Sequence, residues 1–404
     1  MKIKKLLFGI MVIASTSLMA QLSLDGEFRP RTEWFGHGGP YTAGADGIND
    51  APAETALKGS QGFVSTSIRA ALKVTYKSEG YTLFTSFQEV FKLGDRPQIS
   101  AAGNGNFRVQ EAWADIKLSE TTTFKIGRQP ISYDDQRILG GLGWAQQART
   151  HDAGIFQYSN EGYSLKVGGA LNTPNGPIYD TAALFSYREM AFVHANKKYG
   201  GLNLSALVMA NTYQAGTENK STLLTAGLHA DYKVDNLTFK ANAYMQDGQR
   251  IGDTDVKGAF LTSLDASLKA TDKTSFSIGG EVISGKEDDS AAFFPLYGTN
   301  HAFNGLMDRF YVGNHANAGG LVDLNAGVKT KVGSYAVSLK GHYFTEQSQG
   351  KDDLGTELDL VIAKKFKGYK VVGGYSQFFE PSGVIGKDTQ NWAWLMLVIS
   401  PKFL

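Results

Sequence analysis

The chain has 404 residues, 40 of them basic and 39 acidic, with 47 glycines, 18 tyrosines, 24 phenylalanines, 10 prolines and no cysteine. The absence of cysteine excludes disulfides and thiolate metal centres, and the near-neutral charge excludes a basic nucleic-acid-binding surface, so no nucleic-acid partner is expected. After its first 20 residues no apolar run approaches the ~18–20 residues of a transmembrane helix, so such a chain can cross a membrane only as a closed β-barrel.

Met1 to Ala20 carries Lys2, Lys4 and Lys5, then an apolar run from Leu6 to Ile13, then small and polar residues. This is the three-part pattern of a secretory signal peptide, with cleavage expected after Ala20. Its removal leaves 37 basic and 39 acidic residues, a net charge of −2. Strand-like runs are then predicted at 22–35, 62–77, 80–92, 106–118, 121–132, 150–159, 162–171, 186–199, 201–212, 222–234, 236–247, 258–271, 273–285, 320–332, 334–346, 354–366, 368–379 and 390–403. Very short turns, such as Ser78-Glu79, Asn160-Glu161, Asp235, Asp272 and Gly333, alternate with longer connections, among them 36–61, 133–149 and 286–319. Tight periplasmic turns and long extracellular loops give this asymmetry.

Side-chain parity supports strands with one apolar face. In 224–234, Leu224, Ala226, Leu228, Ala230, Tyr232 and Val234 oppose Thr225, His229, Asp231 and Lys233, and 64–76 and 237–246 alternate likewise. A polar face repeated around the sheet implies a wet lumen. The fold class expected for residues 21–404 is therefore a single all-β domain, a transmembrane antiparallel up-and-down β-barrel of about 18 strands. The alternative is a secreted soluble β-sandwich or solenoid. Trp34, Phe35, Tyr76, Tyr81, Tyr232, Phe239, Tyr335, Tyr369, Phe378 and Phe379, near strand ends, are expected to form interfacial girdles. The terminal Phe403-Leu404 resembles the signal read by barrel-assembly machinery, which is an expected partner together with outer-membrane lipid and lipopolysaccharide.

Charge is concentrated early. Eight of the eleven arginines precede residue 150. Glu27, Arg29, Arg31 and Glu33 share one face of the first strand, Arg69 and Lys73 one face of the second, and Glu111 and Asp115 one face of the fourth. Arg128, Arg137, Arg149 and Asp152 cluster around the 133–149 connection. All twelve are candidate pore-lining residues, since guanidinium groups bind carboxylates bidentately and nearby Glu and Asp hold them extended. The competing reading is a structural arginine–carboxylate ladder bracing the wall. Arg128 has the parity of Phe124 and Ile126, so it is expected at the rim or beside a bulge that turns it inward. The 286–319 connection mixes apolar and charged residues, which suits a loop folded into the lumen, with His301, Asp308 and Arg309 at a constriction.

The Gly127-Arg128-Gln129 run, Gln136-Arg137-Ile138-Leu139-Gly140, Trp144 and Arg149-Thr150-His151-Asp152 resemble the signature of the alginate export family of outer-membrane porins. Arg29-Pro30-Arg31-Thr32-Glu33 and Gln110-Glu111-Ala112-Trp113 resemble that family's first and fourth strands. The resemblance implies a shorter, divergent member: an 18-stranded monomeric porin of the Gram-negative outer membrane whose arginine-rich lumen conducts an anionic polyuronate. The alternatives are a general or nutrient-uptake porin and a non-conducting surface-binding or structural barrel. The seven histidines are scattered singly without metal-ligand spacing and no nucleophile accompanies them, so no enzyme activity, metal or cofactor is expected.

Overall fold

The computed structural model describes residues 21–36, 63–94, 107–172, 186–215, 219–251, 254–310, 319–348, 353–381 and 390–404. The expected signal segment 1–20 lies outside the described residues, as does the 36–61 connection apart from Gly36. Eighteen strands are formed: β1 (Gln21–Phe35), β2 (Phe63–Lys77), β3 (Tyr81–Lys92), β4 (Arg108–Lys117), β5 (Thr122–Gln129), β6 (His151–Asn160), β7 (Tyr163–Leu171), β8 (Glu189–Tyr199), β9 (Leu202–Ala215), β10 (Asn219–Val234), β11 (Leu237–Arg250), β12 (Thr254–Lys269), β13 (Ser275–Ile283), β14 (Leu321–Val332), β15 (Tyr335–Thr345), β16 (Asp353–Lys365), β17 (Tyr369–Phe379) and β18 (Gln390–Ile399). Each pairs antiparallel with the next, and β18 pairs with β1 with Phe28 opposite Ile399 and Phe35 opposite Trp392. The sheet therefore closes without an edge, so no strand is left with unpaired backbone groups facing lipid.

The expected last strand, 390–403, ends as a regular strand at Ile399. Pro401 has no N–H to donate, so the ladder is interrupted there and resumes against β1: Gly26 N donates to Pro401 O at 2.8 Å and Phe403 N to Leu24 O at 2.8 Å. Gly26 is required at this seam, because a Cβ would lie 2.8 Å from the Phe403 ring and 2.9 Å from Pro401.

Parity assigns the faces as the sequence predicts. Leu224, Leu228 and Tyr232 on β10, Ile278 on β13 and Leu395 on β18 are exposed on the outer wall. Of the expected girdle residues, Trp34, Tyr81, Tyr232, Tyr335 and Tyr369 are exposed, whereas Phe378 is fully buried inside the barrel. The wall is uneven: β5 has 8 residues and β10 and β12 have 16. At ~3.4 Å per residue and a tilt near 40°, that is a height of roughly 20 Å against 40 Å.

The lumen is narrowed as expected by the connection after β13, and also by a second connection that the sequence reading did not place inside. Two connections turn inward, the whole of 130–150 between β5 and β6, and 284–310 after β13. Ile131, Ile138, Leu139, Phe293, Phe294, Leu296 and Tyr297 pack with inward residues of the sheet, including Met209, Leu223, Leu261 and Leu321, as one buried apolar cluster. The two connections are joined to each other, since Leu139 and Tyr297 form a parallel bridge and Gly140 N donates to Tyr297 O at 2.8 Å.

Candidate functional site

The constriction is built where these two inward segments meet the wall. The 130–150 segment leaves β5 just after Gly127, whose positive φ (125°) and close approach exclude a side chain: a Cβ would meet Ala112 O at 2.2 Å. The segment then runs to β1. Arg29 donates to Gly143 O (2.8 Å), Ala145 O (3.0 Å) and Gln146 Oε1 (3.0 Å), and Arg31 donates to Trp144 O (2.9 Å) and lies 4.4 Å over the Trp144 ring. Trp144 in turn stacks on His301 at 4.6 Å and meets Trp394 of β18 edge-on at 4.6 Å. At β3 and β4, Gln147 O accepts from Gln88 and Arg108, both at 2.8 Å.

The same segment is pinned to the opposite wall by its acidic turn. Asp134 receives His194 Nε2 of β8 at 3.1 Å, and Asp135 accepts from Asn242 Nδ2 of β11 at 2.7 Å. Burial would raise the Asp134 carboxyl, but the hydrogen bond and charge of His194, with help from Ser205, outweigh it and hold Asp134 below the usual carboxylate range. Burial also pushes the Tyr133 and Tyr297 hydroxyls up, so both are neutral packing groups.

Arg137 joins the two segments to β13. It donates to both oxygens of Glu281 (Nε to Oε2 2.8 Å), to Asn300 Oδ1 (2.8 Å) and to Asn304 Oδ1 (3.0 Å), and is only 1 % exposed. Met307 N and Leu306 N donate to Glu357 and Asp359 of β16, at 2.8 and 3.2 Å. His301 lies 2.8 Å from Asp308, and Arg309 donates to Glu380 and Gln390 while lying 4.3 Å over Phe378. The wall residues Glu357 and Asp359, together with His194, Asn242, Glu281 and His229, which lies 3.7 Å from Asp135, were missed by sequence reasoning. Their inward parity was readable, but nothing in the sequence marks them as partners of a distant loop.

The expected pore-lining residues thus separate into groups. Glu27, Arg29, Arg31, Glu33, Arg69 and Lys73 are brought together on the inner face of β1 and β2. Glu27 is shared by Lys73 (2.8 Å), Arg69 (3.6 Å) and Arg29 (3.9 Å), and Arg31 pairs with Glu33 at 3.0 Å. Glu111 and Asp115 also face inward on β4, flanking Trp113, over which Lys125 lies at 3.7 Å; Glu111 accepts from Trp113 Nε1 at 3.1 Å. Arg137 is interior but enclosed, so it locks a loop and presents no surface to a passing solute. Arg149 donates to Gly298 O at 3.1 Å. Arg128 and Asp152 do not line the lumen: they stand opposite each other on β5 and β6 with the outward parity of Ile126 and Phe156, paired at 2.7 and 2.8 Å. The bulge that would have turned Arg128 inward is absent between β4 and β5, so pleat parity carries it outward at the lip.

With the barrel and its inward loops in view, comparison with solved structures is informative. The chain is similar to OccAB4 of Acinetobacter baumannii (TM-score 0.65, 11% identity, 96% of this chain and 99% of that one). It is similar to a double variant of OccD1 (OprD) (0.63, 12%, 97% and 98%) and to OccK9 (OpdG) of Pseudomonas aeruginosa (0.61, 13%, 95% and 99%). The fold is an 18-stranded porin barrel. A closed barrel with an apolar outer wall is the architecture of Gram-negative outer-membrane barrels, and it places this chain in that membrane. No protein-family model matches the sequence, and no curated protein matches it. The resemblance to the alginate export family is therefore corrected: the solved structures to which this barrel is similar are of the Occ/OprD group. The runs that suggested that family, around Gly127, Arg137 and Trp144, are here local devices for bending a loop inward and locking it to the wall.

Proposed function

We propose that the protein is a passive outer-membrane channel for the uptake of small solutes carrying negative charge, with no catalytic role. The observation that carries this reading is the inner face of β1 and β2. Arg29, Arg31, Arg69 and Lys73, four cations, share this face with the three carboxylates Asp25, Glu27 and Glu33, and Glu27 alone is shared among three of the cations. The loop groups that accept from Arg29 and Arg31 are carbonyls and an amide, which orient the guanidinium groups without neutralising them. The surplus therefore faces the channel beside the constriction, where low dielectric surroundings strengthen its field. Similarity to the Occ/OprD barrels, a group of substrate-specific porins, supports the uptake reading.

The test is reversal potential across a planar bilayer under a KCl gradient, with liposome permeation of small carboxylates against neutral sugars of similar size. The expected result is anion preference, reduced toward unity in Arg69→Gln with Lys73→Gln. Cation preference, or no current from folded protein, would overturn the proposal.

A further inference from the structure

At the lip of the low wall formed by β4 to β7 lies a cavity of about 300 Å³ that the channel reading does not use. Its lining comes from both sides of the sheet. Gln110, His151, Tyr187 and Tyr297 belong to the interior, whereas Val109, Arg128, Asp152 and Leu171 carry outward parity. Three guanidinium groups, Arg108, Arg128 and Arg149, line it. Arg128 is paired with Asp152, Arg108 donates to Gln147 O and Arg149 to Gly298 O, and Asp152 is the one carboxylate among its described lining residues. His151 adds a second, independent mark: its Nδ1 is engaged with the Tyr187 hydroxyl at 2.7 Å, and its buried Nε2 has no hydrogen-bond partner among the described residues.

The surroundings define the ligand. β5 and β6 are short, so Arg128 and Asp152 reach only roughly 20 Å above the periplasmic turns, against an apolar band ~25 Å tall. The pair is half-exposed, at 47% and 53%, on the face that meets lipid. Below it the outer wall is apolar, with Ile126 48%, Phe156 46% and Val167 45% exposed, while Leu171 stands level with Asp152 beside the cavity. A site with cationic forks near the outer edge of that band, within reach of a headgroup phosphate, and an apolar wall beneath fits an anionic amphiphile. Phosphate suits it better than a single carboxylate, since it offers several oxygens to several guanidinium donors. We propose that this lip binds the phosphate of a phosphorylated glycolipid headgroup in the outer leaflet, with its acyl chains lying along the outer face of β4 to β7.

The test is native mass spectrometry of the full folded chain in detergent, titrated separately with lipid A, dephosphorylated lipid A and inorganic phosphate. Lipid A should be retained at concentrations at least about tenfold lower than its dephosphorylated form, a difference of ~1.4 kcal/mol or more. Arg108→Gln combined with Arg128→Gln should abolish that preference, whereas Lys257→Gln, an exposed cation far from the lip, should keep it. Heat-modifiable gel mobility checks that each variant is a closed barrel. Asp152→Asn removes the competing carboxylate and should strengthen lipid A retention, which keeps the proposal testable if the double variant does not fold. Equal retention of the two lipids, or weaker retention in Asp152→Asn, would overturn the proposal. Displacement of lipid A by inorganic phosphate with the same arginine dependence would assign the site to a free anion and overturn the lipid reading.

Discussion

The β1–β2 wall and the β13–β16 wall both turn charged side chains into the lumen, and they use them in opposite ways. On β1 and β2 the cations outnumber the carboxylates, and Arg29 and Arg31 grip the 130–150 loop through neutral groups, backbone carbonyls, the Gln146 amide and the Trp144 ring, so their charge is preserved. On β13 and β16, Glu281, Glu357 and Asp359 hold a guanidinium group and backbone N–H groups of the inward loops, and all three are buried. One wall supplies a field to the channel; the other fixes the shape of the constriction. An arginine inside a barrel therefore has no single meaning: Arg69 stands in a surplus, and Arg137 is a lock.

The largest effect that would break this comparison is removal of the lock. Arg137→Ala leaves Glu281 buried and uncompensated, which costs about 3–5 kcal/mol for a buried pair. The expected outcome is an undocked 130–150 loop, seen as increased protease cleavage within it and a higher, noisier single-channel conductance. Arg137→Ala with Glu281→Ala should recover part of the loss, and strict additivity of the two would show that they are not coupled. Next comes Trp144→Ala. It removes three ring contacts, with His301, Trp392 and Trp394, each worth about 0.5–1.5 kcal/mol beyond burial. Loop protection should fall less than in Arg137→Ala, with ion preference retained because Arg29 and Arg31 keep their charge.

On the other wall the prediction sharpens the contrast without a stability change. Glu27→Gln removes the carboxylate shared by three cations and should raise anion preference, whereas Glu281→Gln should disturb loop docking more than selectivity. Reversal potentials and proteolysis on the same two variants separate the roles. The smallest effect is acidic. Because Asp134 is held below its ordinary range in the folded loop, it stabilises docking above that range and the contribution is lost as pH falls through the lowered value. Channel noise should therefore rise only below about pH 3.8, the ordinary aspartate value, and Asp134→Asn should remove that dependence.

The sequence by itself determined the strand count, the alternation of short and long connections, and the side most strand residues face, with Arg128, Asp152 and Phe378 the exceptions. These are local properties: a pleated strand sends alternate side chains to opposite faces whatever its neighbours are, and lipid demands apolar residues on one of them. It also marked 286–319 as a segment suited to the lumen, from apolar residues that a solvated loop would not carry, and 284–310 is found there. Only the tertiary structure decided which charges reach the channel. Arg137 meets Glu281 across 144 residues and Arg29 meets Gly143 across 114, so no spacing in the sequence reports either contact. The lip position of Arg128 and Asp152 likewise depends on where β5 and β6 end relative to their neighbours, and wall height is a property of the closed sheet.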